Sequence, residues 1–162
     1  MAITAKKAAE YIDQNSTRYF TISEIASHCE CKIKFLNTSF DAVYGGNTRV
    51  FLQRYRSARL RGAIKSNPDK SIEELAASCG MSLTPTSKRV FMSLYGISIA
   101  DFREDCLQRI ADKSLVITKQ DCANASDMIN EAINLKRLEA SEQNSRVRRM
   151  TDFRDYGDRQ VG

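Results

Sequence analysis

The chain has 162 residues, of which 42% are hydrophobic and 28% charged, the balance of a globular domain and not of a disordered one. Seven Gly, two Pro and no Trp are too few breakers for a many-stranded sandwich, and the fold class expected is all-α. Twenty-five Lys and Arg against 20 Asp and Glu give a net charge of +5 and a pI near 9.0, a balance that suits a polyanionic partner.

No apolar run approaches the ~20 residues of a membrane span. The start, Met1-Ala2-Ile3-Thr4-Ala5-Lys6-Lys7, lacks the pattern of a secretion signal. Five cysteines then read as free thiols in a reducing compartment. The expectation is a cytoplasmic protein with no membrane partner.

In chain order, the first element of note is Ser23-Glu24-Ile25-Ala26, a short helix with Ser23 as its expected cap. A sharp turn near Glu30 leads to a second helix over about 33–44. Ile33, Leu36, Phe40, Val43 and Tyr44 form its apolar stripe, and Gly45-Gly46 ends it. A long helix over about 48–66 follows, with Phe51, Leu52, Tyr55, Leu60, Ala63 and Ile64 inward and Arg54, Arg61 and Lys65 on one outer face. Asn67-Pro68-Asp69 closes it.

The pattern then repeats. Glu73-Glu74-Leu75-Ala76 follows Ser23-Glu24-Ile25-Ala26 at a displacement of 50, and Cys79 follows Cys29. Phe91-x-x-x-Tyr95-Gly96 follows Phe40-x-x-x-Tyr44-Gly45 at 51, as Phe102 follows Phe51. Ser71 is the cap of the second short helix, Gly80 sits in the turn and Pro85 opens the next helix. Val90, Phe91, Leu94 and Tyr95 are read as its inner face. Each unit is therefore a short helix, a tight turn and a longer helix, the helix-turn-helix pattern. The domains expected are 1–47, a linker helix at 48–66, 67–112, and a C-terminal extension at 113–162.

These residues resemble the DNA-binding domain of the AraC/XylS family of bacterial transcription regulators. The clearest stretch runs from Ser71 through Met81, then Arg89-Val90-Phe91, Tyr95-Gly96-Ile97-Ser98 and Phe102-Arg103. The resemblance covers about residues 5–107 and is nearest to the short stand-alone members, with an extension added. Ser87 stands where the family has an aromatic, and Ile99 where it has a proline. An inward Ser87 is expected to weaken packing.

The resemblance implies sequence-specific binding of double-stranded DNA by a transcription activator that recruits RNA polymerase, without catalysis. Lys34, Asn37 and Thr38 match the family's base-contacting positions. Thr84, Thr86, Lys88 and Arg89 are the second unit's candidates, and an Arg can read guanine through two bonds. Lys32, Arg49, Arg54, Arg61, Lys65 and Ser82 are candidates for phosphate. For Arg56 and Arg59 an internal salt bridge is the plainer reading.

His28-Cys29-Glu30-Cys31 contains metal-ligand types, but the two cysteines fall at apolar positions and read as packing. One His, no phosphate-binding glycine loop and no nucleophile motif leave no catalytic constellation. No metal or cofactor is expected.

In the extension, Ser114-Leu115-Val116-Ile117-Thr118 reads as a docked loop. A helix over about 126–142 carries Met128, Ile129, Ala132, Ile133, Leu135 and Leu138 as an apolar stripe. It either docks on the preceding units or meets a second copy or a partner protein. Residues 151–162 read as mobile. The rival function is a protein-interaction adaptor, in which degenerate helix-turn-helix units carry the C-terminal helix to another regulator.

Overall fold

The computed structural model describes residues 1–118, 121 and 124–157, the last seven of these by backbone alone. The described residues form eight helices and no strand: α1 (Ala2–Gln14), α2 (Ile22–His28), α3 (Ile33–Tyr44), α4 (Thr48–Ser66), α5 (Ile72–Ser78), α6 (Pro85–Tyr95), α7 (Ile99–Ala111) and α8 (Ala125–Gly157). None of them is long and apolar enough to cross a membrane.

Caps set the short helices. Thr21, not Ser23, caps α2: its hydroxyl accepts from Glu24 N while Glu24 accepts from Thr21 N at 2.6 Å. The same reciprocal box joins Ser71 to Glu74 at α5, so Thr21 and Ser71 stand 50 residues apart, like the rest of the repeat. The turns after α2 and α5 take the left-handed backbone at Glu30 (φ 53°) and Gly80 (φ 64°). Gly80 is required twice over, because a Cβ there would lie 2.2 Å from the Arg18 carbonyl oxygen.

Two cores hang on α4. The first joins α1, α2, α3, the N-terminal half of α4 and the start of α8 around Leu36, Phe40, Phe51 and Tyr55. The second joins the C-terminal half of α4 to α5, α6 and α7 around Leu60, Ile64, Phe91 and Phe102. The repeated aromatics meet in each core, although the ring at the centre differs, Phe51 in the first and Phe91 in the second. Phe51 meets Phe40 and Tyr44, both at 4.9 Å between ring centres. Phe91 meets Tyr95 at 4.8 Å and Phe102 at 5.8 Å. Ile33 and Leu94, read as inward, are instead 43% and 38% exposed. Ile33 is at the first position of α3, before the helix has turned toward the core.

The extension docks at two places. Leu115 packs on the second core, while Val116 and Ile117 remain exposed. Asp121 then enters the face of α4, its side chain fully buried, with Lys65 Nζ at 2.7 Å and Arg61 Nε at 3.6 Å. Thr118 donates from its N–H and hydroxyl to the same carboxylate, each at 2.8 Å. Burial pushes the Asp121 carboxyl upward, and the Lys65 and Thr118 bonds outweigh it, leaving its pKa below the ordinary aspartate value. Gly62 makes the approach possible, since a Cβ there would lie 1.9 Å from the Asp121 carbonyl oxygen.

The second docking point is α8, which begins at 125 and runs to 157, well past the expected end near 142. Asp13 of α1 accepts from Ala125 N (2.6 Å), Ser126 N (2.9 Å) and the Ser126 hydroxyl (2.7 Å). Asn124 accepts from Asp127 N. Ala125 and Ile129 are fully buried in the first core, with Met128, Ala132 and Ile133 against it. Met128, Ile129 and Ala132, candidates for a partner protein, therefore dock on their own chain. Leu135 and Leu138 do not. Of the expected mobile tail, 158–162 lie outside the described residues, and the helix continues through 157.

Candidate nucleic-acid interface

The second helix of each unit, α3 and α6, presents the sequence-predicted base readers. Lys34 and Thr38 are exposed on α3, the Thr38 hydroxyl donating to the Lys34 carbonyl. Asn37 is half-buried and committed in part: its Oδ1 accepts from Thr48 N at 3.3 Å, helping the start of α4. On α6, Thr86, Lys88 and Arg89 are exposed, with Arg89 Nε donating to the Pro85 carbonyl at 3.4 Å. Thr84 is the N-cap of α6. Its hydroxyl accepts from Ser87 N at 3.1 Å, and Ser87 Oγ accepts from Thr84 N at 2.8 Å. Ser87 is thus not an emptied core position. It closes a capping box, which accounts for a hydroxyl there.

The phosphate candidates divide by the face of α4. Arg61 lies with its guanidinium 4.7 Å from the Tyr95 ring centre and 5.6 Å from that of Phe102. Lys65 is 9% exposed and donates to Asp121 and to the Val116 carbonyl. Neither is free to meet a ligand, which corrects the expectation for both: residues 114–118 and Asp121 cover the face they share. Arg54, two turns nearer the start on that face, is exposed and lies over the Tyr44 ring at 5.6 Å. Lys32, Arg49 and Ser82 are exposed.

Arg49 has the most telling place. It lines a groove of about 450 Å³ formed by the start of α2, the middle of α4 and the start of α6. Ser82, Thr84, Thr86 and Ser87 line the opposite wall. Arg49 also lines a shallower hollow with Asn37 and Ile33 of α3. One arginine thereby borders residues from both α3 and α6. The groove holds two arginines and several hydroxyls, and no carboxylate lines it.

The second arginine is Arg56, for which the sequence suggested an internal salt bridge. It forms no salt bridge among the described residues. Its guanidinium lies 4.9 Å from the Phe20 ring centre and 5.7 Å from that of Tyr19, and it donates to the Phe20 carbonyl at 3.3 Å. Burial lowers its pKa from the ordinary guanidinium value, far too little to discharge it near neutral pH. The signal in the sequence was the spacing Arg49, Gln53, Arg56, which repeats once per helical turn.

Cys29 and Cys31 pack half-buried against the first core, and burial pushes the Cys29 thiol up. His28 is exposed, its ring tilted against Tyr11 at 4.7 Å.

The sequence matches no protein-family model and no curated protein. Among solved structures, the fold is similar to that of a protein of unknown function from Listeria innocua, at a TM-score of 0.54 and 16% identity, over 59% of this chain and 90% of that one.

Proposed function

We propose that the chain binds double-stranded DNA in a sequence-specific manner, as a cytoplasmic regulator of transcription. The observation that carries this reading is the place of Arg49 of α4, which borders the start of α6 in one groove and α3 in the adjoining hollow, with a second arginine and, among the described residues, no carboxylate in the groove wall. A phosphate backbone crossing there would leave α3 and α6 to enter successive major grooves, about 34 Å apart. Lys34, Thr38, Thr86, Lys88 and Arg89 are then the base readers, with Asn37 and Thr84 beside them. Lys32, Arg49, Arg54, Arg56 and Ser82 hold phosphate, and these contacts make affinity salt-dependent. The resemblance to the AraC/XylS family supports the further reading as an activator that recruits RNA polymerase.

Selection of binding sites from sheared genomic DNA with the purified protein, at two salt concentrations, tests this. One motif with two blocks a turn apart, weakening steeply with salt, is the expected result. Binding without a motif, or none, overturns it. In that case the adaptor reading takes its place, favoured by the length of α8 that projects uncovered from the first core.

A further inference from the structure

Beyond Ile133, every residue of α8 with a described side chain, to Met150, is exposed. Lys136 Nζ still reaches back to the body, donating to the Ala42 carbonyl. The 21 residues from 137 to 157 then extend for about 31 Å at 1.5 Å per residue. In proteins most helical stability comes from the packing of an amphipathic face rather than from propensity. Leu135, Leu138 and Met150 are 61%, 62% and 72% exposed.

At about 100° per residue, Leu135, Leu138, Glu139, Glu142, Arg146, Arg149 and Met150 fall within one third of the helix circumference. This stripe is turned about a quarter-turn from the face that docks on the first core. It is ordered: acidic in its first half, basic in its second, with an apolar residue toward each end. The order is also symmetric about position 144. Leu138 and Met150 lie six residues on either side, Glu139 and Arg149 five, and Glu142 and Arg146 two. Among the described residues these four charges form no ion pair within the chain.

We propose that this stripe pairs antiparallel with the same stripe of a second copy, about a two-fold axis level with Asn144. The acidic half of each helix then faces the basic half of the other, and the leucine end faces the methionine end. A parallel pair would set Glu139 and Glu142 against themselves, and Arg146 and Arg149 likewise. That repulsion fixes the orientation. The match is internal to one sequence, and an isologous contact between copies uses one surface twice, so the occupant is a second copy and not another protein. The pairing stands independently of DNA binding.

Sedimentation of the full chain tests it with two double variants, Glu139→Arg with Glu142→Arg, and Arg146→Glu with Arg149→Glu. All four positions are exposed, so both variants keep the fold, which circular dichroism checks. The wild type is expected to dimerise reversibly and to dissociate as salt rises. Each variant alone, with a stripe of one sign, is expected to be monomeric where the wild type is largely dimeric. An equimolar mixture is expected to restore the dimer, because a basic stripe then meets an acidic one. A wild type that stays monomeric at millimolar concentration overturns the proposal. So do variants that dimerise like the wild type, or a mixture that stays monomeric.

Discussion

Lys65 of α4 and Asp121 of the extension meet at 2.7 Å in the interior, 56 residues apart in sequence. With Arg61 and Thr118 they fasten the chain after α7 onto the linker helix. Asp121→Asn keeps the shape and removes the charge, leaving the Lys65 ammonium buried without its counter-ion. The expected loss is on the order of 3 kcal/mol in urea unfolding at pH 7. Acid should bring the two proteins together. The Asp121 pKa is lowered in the folded state, so its contribution is complete above the unfolded aspartate value of about 3.9 and is lost as pH falls below it. The difference between wild type and Asp121→Asn should shrink in that range. A gap that persists at pH 2 contradicts the ion pair.

Gly62→Ala sets two effects of opposite sign against each other. Alanine in a helix interior is favoured over glycine by about 1 kcal/mol, so a free α4 would gain stability. With Asp121 docked, the new Cβ meets its carbonyl oxygen at 1.9 Å, and overpacking of that kind costs about 1–3 kcal/mol. Net destabilisation in a thermal melt is expected. A rise in Tm would mean that Asp121 does not rest on α4.

The caps can be ranked by substitution. Thr21→Ala and Ser71→Ala each remove a hydroxyl that accepts from the third residue of a helix, and each should cost about 1 kcal/mol. Ser23→Ala, inside α2 and exposed, should change stability by less than about 0.5 kcal/mol.

On DNA, the two faces of α4 predict different behaviour. Arg49→Ala should lower the slope of log affinity against log salt by about 1. Arg61→Ala should leave that slope alone and reduce stability instead, since Arg61 is stacked on Tyr95 and faces Asp121. Lys34→Ala and Arg89→Ala should each cost about 1–3 kcal/mol and relax separate blocks of the site. Filter binding over a salt series, with mutated sites, measures all four.

Much of this architecture was legible because it occurs twice. The spacing of Phe40, Tyr44 and Phe51 repeats in Phe91, Tyr95 and Phe102, and the Phe40–Phe51 contact recurs as Phe91–Phe102. The cap of α2 was misread because two hydroxyls, Thr21 and Ser23, stand close together. The partner glutamate three residues on distinguishes them, as Ser71 and Glu74 show. The face of α4 was not legible locally. Arg54, Arg61 and Lys65 share a face whether that face is wet or covered, and what covers it is a single aspartate far along the chain. Arg56 was hidden for a related reason: its partners are two aromatic faces and a carbonyl, which leave no charge pattern to find.

The hold of Asp13 on the start of α8 also sets an order of assembly. Ser126 lies 113 residues after Asp13. At synthesis rates of about 5–20 residues per second, α1 waits roughly 6–20 s for the residues that complete its core. During that interval the wall of the first core that Ala125 and Ile129 will fill is open, while α5, α6 and α7 are still emerging. Among the described residues, the second core draws on none beyond Leu115. The half of the molecule made later is thus the one whose core is complete first, and the half made earlier must be kept from self-association until its last helix leaves the ribosome.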